Sequence, residues 1–172
     1  MVNDVLAMAR LYVAQAAIPR LRTEVLDARA VVEKATARFA ARHAGRTLDM
    51  QVTDQPLQVR GDPNLLRRVL ENLLDNADKY SPGGVPIEVK LHSEEGEAVF
   101  TVTDRGQGIA PDDLPLVFEP FFRADRSRTR GTGGVGLGLA LAKRIVDAHG
   151  GRIDIESELD EGTRVTVRIP RA

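Results

Sequence analysis

Seven of the 15 glycines in this 172-residue chain fall between Asp104 and Gly138, and that stretch runs straight into an apolar helical pattern, Gly136 to His149. Long irregular segments inside a compact domain serve as lids or binding loops. Only the residues after Pro111 offer a short helical possibility within it. Glycine uncovers backbone amides, and a helix N-terminus carries the positive end of the dipole. Gly131, Gly133, Gly134, Gly136 and Gly138 therefore read as an anion site at a helix entrance. A flexible linker is the alternative, but linkers do not lead directly into an apolar helix. No GxxxxGK[ST] pattern is present, so this is not a P-loop.

The rest of the chain supplies layers for such a loop to sit on. Residues 2–17 place Val2, Leu6, Ala9, Val13 and Ala16 at helical spacing before Pro19. One apolar stripe with nothing beside it belongs to a bundle, which sets residues 1–18 apart from a domain over 19–172. Asp27 caps a second helix that runs to Gly45, and residues 47–53 alternate as a strand. Asp62-Pro63 opens a third helix, a capping carboxylate followed by proline, and it continues to about Lys79. Residues 87–92 and 98–104 are strand-like around the turn SEEGE, and 151–157 with 163–169 form a hairpin around DEG. The expected fold is an α/β (α+β) two-layer sandwich, a mixed, mostly antiparallel sheet on about three helices.

Composition excludes several classes. With 24 basic and 25 acidic residues the net charge is -1, which argues against a general nucleic-acid surface. No cysteine is present, so disulfides and thiolate metal sites are excluded and a reducing, cytoplasmic setting fits. No apolar run approaches the roughly 20 residues of a membrane helix, so a membrane span of any parent protein is expected outside this chain.

Three further patterns carry chemistry. On the third helix Leu66, Val69, Leu70, Leu73 and Ala77 gather on one side, and Arg68, Asn72, Asp75, Asn76 and Lys79 on the other. The polar side is either a solvated surface or a site in which an amide oxygen ligates Mg²⁺ and Lys79 meets a phosphate. Asp104-Arg105-Gly106-Gln107-Gly108 follows a strand, as a capped tight turn or as a carboxylate with backbone closing round a planar ligand. Between this turn and the glycine cluster lies VFEPFFRADRSRTR. There Phe118, Phe121 and Phe122 either pin a lid whose Arg123, Arg126, Arg128 and Arg130 face a triphosphate, or belong to an exposed basic loop.

In order, ENLLDNADKYSP (71–82), DRGQGI (104–109), VFEPFFRAD (117–125) and GGVGLGLALAK (133–143) resemble the N, first glycine, F and second glycine boxes of histidine kinase catalytic domains. These belong to the Bergerat-type ATP-binding superfamily, and the resemblance covers about residues 20–170. It implies a Bergerat ATP-binding fold with a mobile lid, holding ATP and Mg²⁺. It implies Asn76 on Mg²⁺, Asn72 nearby in the phosphate site, Lys79 and Arg123 on phosphates, and Tyr80 at the ribose or adenine edge. It further implies Asp104 on the adenine amino group, with Gly106, Gly108 and Ile109 shaping that pocket and Thr163 joining its network. By the same resemblance Gly134, Gly136, Leu137 and Gly138 are expected to form the lid hinge and helix entrance. Asp78 departs from the usual apolar or small residue, and Val135 from a usual Thr or Ser.

The gyrase-like, chaperone and mismatch-repair relatives carry Glu where this chain has Asn72. An amide has no usable proton affinity near neutral pH, so Asn72 is no general base and ATP is expected to be held without rapid hydrolysis. The resemblance implies a phospho-accepting histidine in an H-[E/D]-x-x-[T/N]-P context, and His43, His92 and His149 all lack it. His43 and His92 are expected on the surface and His149 at a helix end. Residues 2–13 resemble the end of a dimerisation and phosphotransfer helix, so the acceptor is expected on a part of the kinase beyond this chain. The implied partners are that dimerisation domain and, indirectly, a response regulator, in a membrane-bound homodimer. An anti-sigma-type serine kinase of the same fold and a degenerate nucleotide-binding module are the alternatives.

Overall fold

The computed structural model describes residues 21–123 and 136–172. The helix expected over 2–17, the division at residue 18, and Arg126, Arg128, Arg130, Gly131, Gly133, Gly134 and Val135 lie outside the described residues. The chain order is β1 (Glu24–Asp27), α1 (Ala28–Arg42), β2 (Leu48–Val52), β3 (Gln58–Gly61), α2 (Pro63–Tyr80), β4 (Ile87–Glu94) and β5 (Glu97–Asp104). A single 3₁₀ turn (Leu114–Leu116), α3 (Gly138–Ala148), β6 (Arg152–Glu158) and β7 (Gly162–Pro170) follow.

Five strands form one sheet in the order β2-β4-β5-β7-β6. β2 runs parallel to β4 and the other pairs are antiparallel, as the sequence pattern leads one to expect. The parallel pair requires a crossover, and β3 with α2 supplies it. The three helices lie on one face of this sheet, over a core built from Phe39, Leu73, Leu74, Ile87, Leu91, Ile145 and Ile169 among others. The opposite face carries charged pairs, including Arg152 with Glu97 at 2.9 Å and Arg168 with Asp154 at 3.4 Å. A separate two-stranded ladder joins β1 to β3. It was not legible in the sequence, because four-residue strands with a single fully buried side chain, Val59, leave too little alternation to read.

Strand alternation decides one feature of the site. Ala98, Phe100 and Val102 of β5 share the face that pairs with Leu91 and Val89 on β4 and with Ile169, Val167 and Val165 on β7. Asp104 is next in this row, so a carboxylate ends an otherwise apolar line.

Helix α2 has caps at both ends. Asp62 accepts from Asn64 N at 2.9 Å and Leu65 N at 3.1 Å, with Pro63 in the first turn. The backbone N–H of Asp62 in turn donates to His149 Nε2 at 3.0 Å, while His149 Nδ1 donates to Ile145 O at 2.7 Å. His149 therefore does more than end α3: its ring ties that end to the start of α2. His43, expected on the surface, stacks on Phe39 at 4.3 Å and is only half exposed. His92 is exposed, as expected.

The polar side of α2 is divided by its neighbours. Asp75 is turned to α1, with Arg42 at 3.3 Å and His43 at 3.5 Å, and Arg68 is exposed. Asn72 and Asn76 lie toward α3. The five residues grouped on one helical face thus split among three surroundings.

Replacing Asp62 by Ala removes two N-terminal acceptor contacts from a buried cap. The expected loss is about 1–2 kcal/mol of stability, read as a lower urea midpoint at unchanged slope; an unaltered midpoint would mean that the cap carries no weight.

Candidate functional site

An open cleft lies between α2, the β5 end, the segment after it, and the start of α3. Leu73 and Ala77 of α2, Val102 of β5, Leu139 of α3, Ile155 of β6 and Val165 of β7 make its walls apolar. Of the residues expected from the sequence, Asn76, Tyr80, Asp104, Gly108, Ile109, Arg123 and Thr163 line it. The wall residues were legible as core positions but not as a binding surface, since periodicity cannot separate the two.

Asp104 is 8% exposed. Its Oδ1 accepts from Gly106 N at 2.8 Å, and the backbone N–H of Thr163 and the charge of Arg46 also favour its ionised form. Burial outweighs them and pushes the carboxyl up from 3.8 to about 6. A carboxylate held this way is a strong acceptor for an N–H donor that enters the cleft.

The glycines of this turn are required by close packing. A Cβ at Gly106 would run into the Tyr80 carbonyl, and one at Gly108, where φ is +65°, into the Glu158 carbonyl. Gly106 shapes the pocket from behind, whereas Gly108 is part of its lining. Ser157 was not anticipated. It lies opposite Thr163 in the β6–β7 ladder, 2.8 Å from its Oγ1, and accepts from Ile109 N at 2.9 Å. The only signal for it was its register across the hairpin turn.

Asn72 does not line the cleft. Its Nδ2 donates to Gly138 O at 3.2 Å, which holds the start of α3 against α2. A Cβ at Gly138 would make ordinary contact near both Asn72 and Asn76, about 4 Å away. The N-terminus of α3, which begins after Leu137, therefore lies beside the two asparagines. Lys79 is also outside the lining; its ammonium rests 4.6 Å from the centre of the Tyr80 ring. At the entrance, Phe121 N donates to Gly136 O at 2.9 Å, joining the two sides of the intervening segment. Phe121 there has φ +67°, a conformation that costs a bulky residue about 1–3 kcal/mol.

The Asp104 carboxyl makes a pH-dependent contribution of definite sign. Its value in the folded chain, about 6, lies above the ordinary 3.8, so folding favours the neutral acid. The stabilisation is fully present below the ordinary value and lost as pH rises through the folded one. Relative to Asp104→Asn, the nucleotide-free domain is expected to lose about 2–3 kcal/mol between about pH 4 and pH 7. Parallel stability curves for the two proteins in urea would contradict it.

Residues 61–172 match the family described as histidine kinase-, DNA gyrase B-, and HSP90-like ATPase. The chain is 37% identical to the sensor-like histidine kinase SenX3 of Mycolicibacterium smegmatis, over 99% of this chain and 44% of that protein. It is 42% identical to the sensor protein SrrB of Staphylococcus aureus, over 64% of this chain and 19% of that protein. It thus spans less than half the length of these relatives. Among solved structures it superposes on the mycobacterial sensor histidine kinase MprB with a TM-score of 0.75 at 36% identity, covering 86% of this chain and 96% of that one. Full-length ShkA in complex with AMPPNP gives 0.79 at 29% identity, over 99% of this chain and 35% of that one. A buried carboxyl, an asparagine-bearing helix and a glycine-shaped cleft stand where the motifs place them, and the chain belongs to the histidine kinase-, DNA gyrase B-, and HSP90-like ATPase family, with sensor histidine kinases as its relatives.

Proposed function

We propose that this chain is the ATP-binding catalytic part of a two-component sensor histidine kinase. The γ-phosphate of Mg-ATP goes to a histidine on a dimerisation and phosphotransfer domain, and from there to a response regulator. The parent kinase on this reading is a membrane-bound homodimer; among the described residues no helix is long and apolar enough to cross a membrane. The observation that carries the proposal is the combination in one cleft of the buried Asp104 carboxyl with Asn76, on a helix that offers Asn72 in place of a general base.

The residues present fit both implied groups. Apolar walls suit a planar base, and Asp104 in the lining can accept a hydrogen bond from the 6-position, where adenine carries an amino group and guanine a carbonyl. Asn76 offers a hard amide oxygen for Mg²⁺. Mg²⁺ keeps several waters and takes oxygens from substrate phosphates, so one protein amide is compatible with it. Bound Mg-ATP supplies the transferable phosphoryl group together with the metal's share of charge neutralisation. The chain's own part is positioning and electrostatics. Asp104, Gly106, Gly108, Ile109 and Thr163 orient the base and Tyr80 flanks it. Arg123 and Lys79 bring positive charge, and Gly134, Gly136, Leu137 and Gly138 serve the lid hinge and helix entrance. Asn72 keeps the phosphate side in place through Gly138 and cannot activate water, since an amide accepts no proton at neutral pH. A neutral imidazole needs no deprotonation at its attacking nitrogen, so no base is missing. None of His43, His92 and His149 lines the cleft, which agrees with an acceptor on another domain.

Phosphorus NMR of this chain with ATP, with and without Mg²⁺, tests the proposal. Binding with negligible phosphate release is expected, and rapid release would make it an ATPase instead. Asn76→Ala is expected to abolish Mg²⁺-dependent binding with the fold intact; unchanged affinity would remove the metal assignment. Asp104→Asn is expected to weaken ATP more than GTP, by about tenfold, and an equal loss for both would remove the adenine assignment.

A further inference from the structure

Arg46 lies on the loop between α1 and β2, outside every motif singled out in the sequence, yet its side chain is only 6% exposed. It occupies the C-terminal end of α2, where a cation is favoured by the helix dipole. Nη1 donates to Pro82 O at 2.5 Å, Nη2 donates to Ser81 Oγ, and Nε lies 3.2 Å from Asp78 Oδ1. Ser81 Oγ in turn donates to Ala77 O at 2.6 Å. Ser81 and Pro82 at the α2 exit are thus hydrogen-bonded, and Asp78 ion-paired, to one guanidinium.

The other side of the same turn is the nucleotide cleft. Tyr80 O accepts from Gln107 N at 3.2 Å, and the backbone of Gly106 is pressed against that carbonyl. Gly106 N holds the Asp104 carboxyl. A continuous path of hydrogen bonds and close contact therefore runs from Arg46 through the Tyr80–Pro82 turn to the Asp104 loop. The positive charge of Arg46 also favours the carboxylate form of Asp104.

Asp78 belongs to the same arrangement. The family resemblance calls for an apolar or small residue there. In this chain the carboxylate meets Arg46 and, at 3.0 Å, His43 Nδ1. The departure at Asp78 and the buried arginine account for one another, since a buried guanidinium needs a compensating charge.

We propose that Arg46 is a positioning residue for the base-selecting end of the cleft, setting the Tyr80–Pro82 turn against the Gly106–Gln107 backbone so that Asp104 is presented to adenine. It touches no nucleotide itself. The inference rests on the reading of Asp104 as the adenine contact.

The test is nucleotide selectivity. ATP, ADP and GTP are titrated against a fluorescent ATP analogue in Mg²⁺ for the wild type, Arg46→Gln, Arg46→Lys and Asp104→Asn. Arg46→Gln keeps a donor for Pro82 but loses the charge and the fork. It is expected to weaken ATP and ADP together by about tenfold, the size of one lost charge-assisted hydrogen bond, while GTP changes by less than about twofold. Arg46→Lys restores part of the ATP-over-GTP preference. An unchanged preference in Arg46→Gln, or an equal loss for all three nucleotides, overturns the positioning role, because a residue that merely holds the fold does not discriminate bases. Should Arg46→Gln fail to fold, Ser81→Ala interrupts the same path at the hydroxyl between Arg46 and Ala77. A narrowed preference is expected there too, and an unchanged one overturns the proposal. The two readings separate cleanly: if Asp104→Asn leaves the preference intact, the adenine contact itself is wrong. If Asp104→Asn narrows it and the Arg46 and Ser81 variants do not, only the role of Arg46 falls.

Discussion

Helix α2 has to satisfy two surfaces at once, and the rest of the structure is arranged around that demand. Leu66, Val69, Leu70, Leu73, Leu74 and Ala77 are buried against the sheet and its flanking helices. Each such large side chain contributes about 1.5–3 kcal/mol by leaving water, so the rotation of the helix about its axis has no freedom. Once it is set, Asn72 and Asn76 project toward α3 and Asp75 toward α1. Tyr80 arrives at the cleft rim at the last turn. Function is borrowed from a helix whose orientation is decided by its core side.

Asp104 shows the opposite relation between stability and function. An apolar residue in its place would continue the row of Ala98, Phe100 and Val102. The carboxyl there is poorly solvated, and the Gly106 and Thr163 amides with Arg46 only partly offset this. Such a group is destabilising in the empty domain and becomes useful when a donor enters the cleft. The surrounding glycines follow from the same arrangement, because the backbone must pass close enough to both carboxyl and neighbouring carbonyls that no Cβ fits.

Charge on the α1–α2 seam is structural in a different sense. Arg38 with Glu71, Arg42 with Asp75, and Arg46 with Asp78 place one cation after another along α1 and its following loop. Arg42 with Asp75 is exposed on both sides and adds little, and Arg38 with Glu71 sets an exposed guanidinium on a half-buried carboxylate. The third differs: Arg46 is drawn into the end of α2, where helix dipole, carbonyl and carboxylate all favour a cation. Spacing along one helix predicted a single polar face, whereas the neighbours divided it.

Much of this protein was legible in its residues. Periodicity and caps placed the helices at Asp27 and Asp62, alternation and turn residues placed the central strands, and the motifs singled out Asn76, Asp104 and Gly108, which line one cleft. These are local properties: a proline, a capping carboxylate or an alternating run acts within a few residues and leaves its mark there. What only the tertiary structure decided depends on contacts across the chain. It closed the short β1–β3 ladder, made the His149 ring an acceptor for Asp62, and turned Asp75 from the cleft to α1. It also brought Ser157 to Ile109 and buried Arg46 beneath Tyr80–Pro82. Each of these joins residues far apart in sequence, and their pairing has no local signature because it exists only when the helices are already seated on the sheet.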